Sequence, residues 1–404
     1  MQHKTTSPQD LVLIGGGHAH ALVLRKWGLH PLPGVRLTVI NPGKTAPYTG
    51  MLPGHIAGHY SQDELEIDLE RLCQFAGARL IDGGATALDP VAQSVHVLGH
   101  GEIDYDVASL DIGITSELRD LPGFQDHGIG AKPLHRYAQV WRQFLAQTQG
   151  SKDPAPVAVI GGGVAGVELA LAMAHALRDA PHAPVTLIEA AHELTGTSAR
   201  SRNVLLKALR RAKVTVRPNS QITEIRSQSV SFNDGSSLAA HLVVSAAGAR
   251  PHPWLANTGL ALHNGYVIVD PTLQVRSHPS LFAVGDCAHM DHAPRPKAGV
   301  FAVRSAPVLF DNLRAKLTGK TLRPFQPQKS YLKLISLGQK SALAEKYSWP
   351  VSGRLLWHWK DWIDRRFMVK FQNYPPGPRS VVPQGSEPRP PKTDQANADR
   401  SEAE

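Results

Sequence analysis

Val157-Ala-Val-Ile-Gly-Gly-Gly-Val-Ala-Gly166 is a short apolar run that breaks into three glycines and closes on a fourth. A continuous apolar run of this kind suits a parallel strand buried on both faces. Gly161, Gly163 and Gly166 fill the three places of a strand–turn–helix unit that receives a dinucleotide. The first permits the tight turn and the second lets the backbone approach a pyrophosphate on the helix N-terminus. The third lets helix and strand pack closely. After a helix expected over 167–178, a strand at Val185–Ile188 closes on Glu189, 23 residues past Gly166. A carboxylate there accepts from a ribose 2′-OH and repels a 2′-phosphate. NAD(H) is therefore favoured over NADP(H), and Thr195-Gly-Thr197 leaves dual use open.

The same pattern stands about 146 residues earlier, at Leu11-Val-Leu-Ile-Gly-Gly-Gly-His-Ala-His20. Here Gly15, Gly16 and Gly17 make the turn, but His20 takes the third glycine's place. The second strand, Val35–Ile40, runs into Asn41 where an acid is expected. Two such βαβ units predict two Rossmann-type domains. A later strand ends in Gly285-Asp286. An aspartate after a strand and a glycine resembles the second fingerprint of FAD proteins, whose carboxylate holds the ribityl chain.

The fold class expected is α/β, with two Rossmann-like FAD/NAD(P)-binding domains plus a C-terminal α+β or helical segment. Residues 1–115 with 252–322 read as the FAD-binding domain, interrupted by an NAD(H)-binding domain over 116–251. Residues 323–374 form the C-terminal segment. Residues 375–404 hold seven prolines and read as a disordered tail.

Composition narrows the class. With 42% apolar and 19% charged residues the chain is an ordinary globular protein. No stretch reaches the roughly 18 apolar residues of a membrane-spanning helix, and the polar opening from Met1 to Asp10 offers no secretory core. The two cysteines, Cys73 and Cys287, are far apart, which points away from a disulfide framework and toward a reducing cytoplasm. The net charge of +9 is spread along the chain with no nucleic-acid motif, so nucleic acid is not an expected partner. Anionic cofactors or an anionic membrane surface account for it equally well. His18 and His20 lack the further ligands a metal site needs, and no metal is expected.

Together these motifs resemble the two-dinucleotide-binding-domain flavoproteins, the pyridine nucleotide-disulfide oxidoreductase superfamily. The resemblance is strongest to a branch related to type II NADH dehydrogenases, demethylphylloquinone reductases and the oxidoreductase module fused to selenide, water dikinase. The stretches that carry it are Gly15–His20, Pro47-Tyr-Thr-Gly-Met-Leu-Pro-Gly54, Gly130-Ala-Lys-Pro133, Val284–Asp286, Pro296–Arg304 and Trp359–Met368.

The resemblance implies FAD and NAD(H) as cofactors, hydride transfer from NADH to FAD, and two-electron reduction of a small-molecule acceptor, a quinone. No redox cysteine pair is present, so disulfide reduction is excluded. Val300 and Arg304 stand where type II NADH dehydrogenases usually carry glutamines at the quinone. The candidate FAD contacts are Gly15–Gly17, His18, Asn41, Tyr48, Gly50, Met51, Lys132, Gly285, Asp286 and Ala298. Those for NAD(H) are Gly161, Gly163, Gly166, Glu189 and Gly248. His18 either donates to the pyrophosphate or only packs.

Glu168 and Lys297 are the candidate catalytic residues. By the resemblance Glu168 sits near nicotinamide and flavin, but in a first helical turn it equally complements the helix dipole. By the same resemblance Lys297 opens a helix aimed at the flavin N1–C2=O edge, where it stabilises the reduced flavin; a solvated surface lysine is the alternative. Two other functions stay open: an NADH-driven reductase of a soluble molecule, as in selenium metabolism, and a flavin-binding regulatory protein.

Near the end, Leu355, Trp359, Trp362, Ile363, Phe367 and Phe371 recur at helical spacing, with Lys360, Asp361, Asp364 and Arg365 off the stripe. A tryptophan-rich, basic amphipathic helix suits a peripheral site on the cytoplasmic face of a membrane. The same stripe suits packing on the protein's own core or on a second subunit in a homodimer.

Overall fold

The computed structural model describes residues 8–375 apart from Ala249, Tyr347 and Ser348. Apart from Pro375, the tail expected to be disordered lies outside the described residues.

Strand β1 (Gln9–Ile14) is followed by helix α1 (His18–Leu29), β2 (Val35–Asn41), β3 (Arg79–Asp82) and β4 (Val107–Leu110). A second series contains β5 (Gly128–Gly130), β6 (Val157–Ile160), α2 (Val164–Ala176), β7 (Val185–Ile188), β8 (Thr215–Arg217) and β9 (Leu242–Ser245). The chain then returns to the first sheet with β10 (His278–Ala283) and lays helix α3 (Gly299–Leu317) on α1.

The two sheets repeat one plan. In the first, β10, β4, β1, β2 and β3 lie side by side and parallel. In the second the order is β5, β9, β6, β7 and β8, again all parallel. Leu11–Ile14 and Val157–Ile160 are almost wholly buried, which is why neither strand alternates apolar with polar residues. The fold class read from the sequence is the one observed. The first sheet also gains antiparallel strands from residues 262–275, for which the sequence offered no distinct signal.

The C-terminal segment is a small antiparallel sheet of β11 (Lys333–Ser336), β12 (Ala342–Lys346) and β13 (Trp349–Gly353), covered by helix α4 (Arg354–Met368). Helix α4 corrects the expected stripe. Trp357, Lys360, Asp364, Phe367 and Met368 point inward, while Leu355, Trp359 and Trp362 face out. Beside the sheet, the 47–54 segment offers α4 the Gly50 carbonyl for Lys360 and the Tyr48 hydroxyl for Asp364, so these charged positions pair inside. No helix among the described residues is long and apolar enough to cross a membrane.

Candidate active site between two glycine turns

The second turn behaves as its spacing predicts. Gly161 has φ +105°, the left-handed region that glycine adopts without strain. A Cβ at Gly166 would fall 1.8 Å from the Gly161 carbonyl, so helix and strand meet here only through a glycine. Gly163 faces open space: the nearest atom a Cβ there would meet is Thr195 Oγ1, at 3.7 Å. No side chain caps α2. Glu189 stands beside the turn and accepts from the N–H groups of Gly162 and Ala191, at 2.5 and 2.8 Å. An open helix N-terminus flanked by a fixed carboxylate fits a dinucleotide with a free ribose 2′-OH. Gly248, in the loop after β9, has φ +71° and open space around it.

The first turn repeats this geometry with other side chains. Asn41 takes the place of Glu189: its Oδ1 accepts from Gly16 N at 2.9 Å, and its Nδ2 donates to Gly43 O. His20 takes the place of Gly166. It is fully buried, its Nδ1–H donates to Gly15 O at 2.7 Å, and its Nε2 accepts from the Ser109 hydroxyl at 2.8 Å. Burial lowers its pKa to about 4, so the ring is neutral at physiological pH. His20 is therefore a packing group that bonds the carbonyl which Gly166 merely avoids.

His18 lies closer to the surface. It makes edge contacts with Tyr48 and Phe367, and burial lowers its pKa against the opposing pull of Asp286. Asp286 pairs with Lys132 at 3.0 Å. Gly285 before it has φ +69°. Lys297 precedes α3, whose N-cap is Ala298. Its ammonium donates to Ala288 O and lies 3.8 Å from the Tyr266 ring centroid.

A third group of side chains lies where α2, α4 and the 47–54 loop meet. Glu168 is half-buried and accepts from Ser336 N at 2.6 Å, a contact that ties α2 to β11. Burial raises its pKa to about 7, with Lys360 opposing. Lys360 pairs with Asp364 at 2.6 Å and donates to Gly50 O at 2.7 Å. Asp364 also accepts from the Tyr48 hydroxyl at 3.0 Å, and burial raises its pKa. Met51 is in the core beside this group. Val300 is half-buried and Arg304 exposed.

Over residues 9–306 the chain matches the family described as pyridine nucleotide-disulphide oxidoreductase. The chain belongs to this family. It is an oxidoreductase that uses FAD and a nicotinamide dinucleotide. An NADH dehydrogenase-like protein of Bacillus subtilis is 24% identical, covering 87% of this chain and 99% of its own. A demethylphylloquinone reductase of Synechocystis is 26% identical, covering 63% of this chain and 65% of its own. Among solved structures, NDH2 of Plasmodium falciparum in complex with NADH superposes with a TM-score of 0.74. It is 14% identical and covers 90% of this chain and 97% of that one, a likeness of fold.

For a family member, the two cysteines are inert. Cys73 and Cys287 are both buried, and burial pushes each thiol up to about 12. Three further residues sit at the sites without a sequence signal strong enough to single them out. Apolar periodicity places Lys360 and Asp364 on a solvent face, where the structure does not. Asp111, the residue after β4, is buried, and its Oδ2 accepts from the N–H groups of Ala19 and His20. Its only sequence signal is an aspartate directly after an apolar strand, without the glycine that precedes Asp286.

Proposed function

We propose that this oxidoreductase takes hydride from NADH and reduces a quinone drawn from a membrane surface. Bound FAD would supply the chemistry, accepting hydride and returning two electrons to the acceptor. Gly161, Gly163 and Gly166 would seat the NADH pyrophosphate, with Glu189 selecting against a 2′-phosphate. The first turn, Asn41, Asp286 and Lys132 would hold FAD, and Tyr48, Gly50 and Met51 would border its ring. Glu168, close to Lys360 and Asp364, would hold a proton near the reacting groups.

One observation carries the membrane-side quinone reading. Six of the eight large apolar side chains exposed among the described residues lie between 349 and 369: Trp349, Val351, Leu355, Trp359, Trp362 and Val369. Leu355, Trp359 and Trp362 lie on the outer side of the helix whose inner side holds Lys360 and Asp364; Trp349 and Val351 lie on β13 before it and Val369 directly after it. Arg366 lies over Trp362, and Lys370 has its pKa lowered by burial first and then by nearby Arg25 and Arg366. An apolar aromatic patch rimmed by cations suits an interfacial helix on an anionic bilayer. The name of the Synechocystis relative, a demethylphylloquinone reductase, agrees with a quinone acceptor. Sedimentation with anionic vesicles tests the reading: binding lost in Trp359→Glu/Trp362→Glu supports it, and no binding by the intact chain argues for a soluble acceptor.

A further inference from the structure

The two glycine turns permit an internal comparison. Asp111 N donates to Ile14 O at 2.9 Å, and Ala246 N donates to Ile160 O at 2.9 Å. Each residue follows the strand next to its glycine-bearing strand, so Asp111 and Ala246 occupy equivalent places in the two units. At the second turn this place holds a methyl group, and the N-terminus of α2 is open. At the first it holds a carboxylate, which binds two of the N–H groups that a pyrophosphate would otherwise meet. Gly17 N donates to the Asp111 carbonyl and Gly16 N to Asn41. From Gly15 to His20, only the His18 N–H is left without an acceptor among the described residues.

Asp111 is almost wholly buried, and its Oδ1 has no hydrogen-bond partner among the described residues. That oxygen lies 2.4 Å from where a Cβ on Gly285 would stand, facing the Gly285-Asp286 turn. Any phosphate at the N-terminus of α1 thus meets a carboxyl group already in place. Ionised, that group repels the ligand. Protonated, it keeps its bonds from Ala19 and His20 and has an O–H to donate.

We propose that Asp111 is the protonation-dependent latch of the FAD site: FAD binding takes one proton from solvent onto the Asp111 carboxylate, leaving a neutral carboxylic acid beside the pyrophosphate. The apoprotein instead uses the ionised Asp111 as an internal anion that satisfies the N-terminus of α1. Burial already holds this carboxyl near neutrality, with a pKa raised to about 7, and Asp286 adds to the rise. The other groups facing it are the Cys287 thiol, which stays protonated, and the neutral ring of His20. Lys132 and His18 reach it only through Asp286. The inference rests on FAD occupying the first turn and is independent of the electron acceptor.

The test uses the purified holoprotein, diluted at a series of pH values from about 6 to about 8.5, with released flavin separated by ultrafiltration and measured by absorbance. The slope of log Kd against pH counts the protons taken up. Wild type should lose affinity toward tenfold per pH unit above about pH 7. Asp111→Asn, whose Oδ1 can still accept from Ala19 and His20, should show a flat profile and hold FAD at least about tenfold more tightly at the alkaline end. A flat wild-type profile overturns the proposal, and so does an Asp111→Asn profile parallel to wild type. The wild-type slope alone decides the matter if the variant folds poorly.

Discussion

The Tyr48 hydroxyl donates to the Asp364 carboxylate at 3.0 Å, joining the loop that follows the first Rossmann unit to the inner face of α4. Lys360 completes the join through Asp364 and Gly50 O. Removing one partner of a buried pair leaves the other uncompensated, at a cost of about 3 to 5 kcal/mol. Lys360→Ala should therefore lower thermal stability markedly, whereas Lys360→Met with Asp364→Leu should recover much of it. Thermal melts of wild type and of the single and double variants check this; equal melts for all three would show that the pair is not energetically coupled.

Glu189 bears on cofactor choice. Glu189→Ala removes the negative charge beside Gly162 and should raise KM for NADH while lowering it for NADPH. A change in the NADH/NADPH ratio of about tenfold or more is expected, equivalent to about 1.4 kcal/mol. Steady-state kinetics with both dinucleotides measure it, and an unchanged ratio removes Glu189 from the ribose site.

His20 and Glu168 give opposite pH signatures. The folded-state pKa of His20 is lowered to about 4, so between there and about 6.5 the unfolded chain binds a proton that the folded protein does not. Its contribution to stability is lost as pH falls through that window. His20→Leu should flatten the acid limb, yet cost about 2 kcal/mol at neutral pH by leaving the Ser109 hydroxyl and Gly15 carbonyl unpartnered. Denaturant melts at acid and neutral pH separate the two effects.

Glu168 runs the other way. Its folded-state pKa is raised to about 7, so the folded protein binds the extra proton, and stability falls as pH rises from about 4.5 toward 7. Glu168→Gln keeps an acceptor for Ser336 N and removes the titration. Its melting temperature relative to wild type should increase from pH 5 to about pH 8. The pH–rate profile for acceptor reduction should also lose its inflection near 7. A variant that tracks wild type in both would leave Glu168 a structural carboxylate.

The glycine turns were legible because their requirements are local. Gly161 must adopt φ +105°, and Gly166 must let a carbonyl pass, whatever surrounds them. His20 was legible as a departure but not in its effect, since its partner Ser109 lies 89 residues away in sequence. The inner face of α4 was hidden for a related reason. Apolar periodicity assumes that every partner group is apolar, whereas Lys360 and Asp364 meet a backbone carbonyl and a tyrosine hydroxyl from a distant segment. Asp111 carries its meaning only beside α1, a placement set by the sheet order and not by any neighbour in sequence.

The central claim is reduction of a quinone by NADH through bound flavin, and one anaerobic titration addresses it directly. NADH is added to the purified holoprotein while the visible flavin absorption is followed, and a short-chain naphthoquinone is then supplied. The predicted result is rapid loss of the flavin band followed by its return in proportion to the quinone added. A band that bleaches and stays bleached with quinone present would contradict the claim.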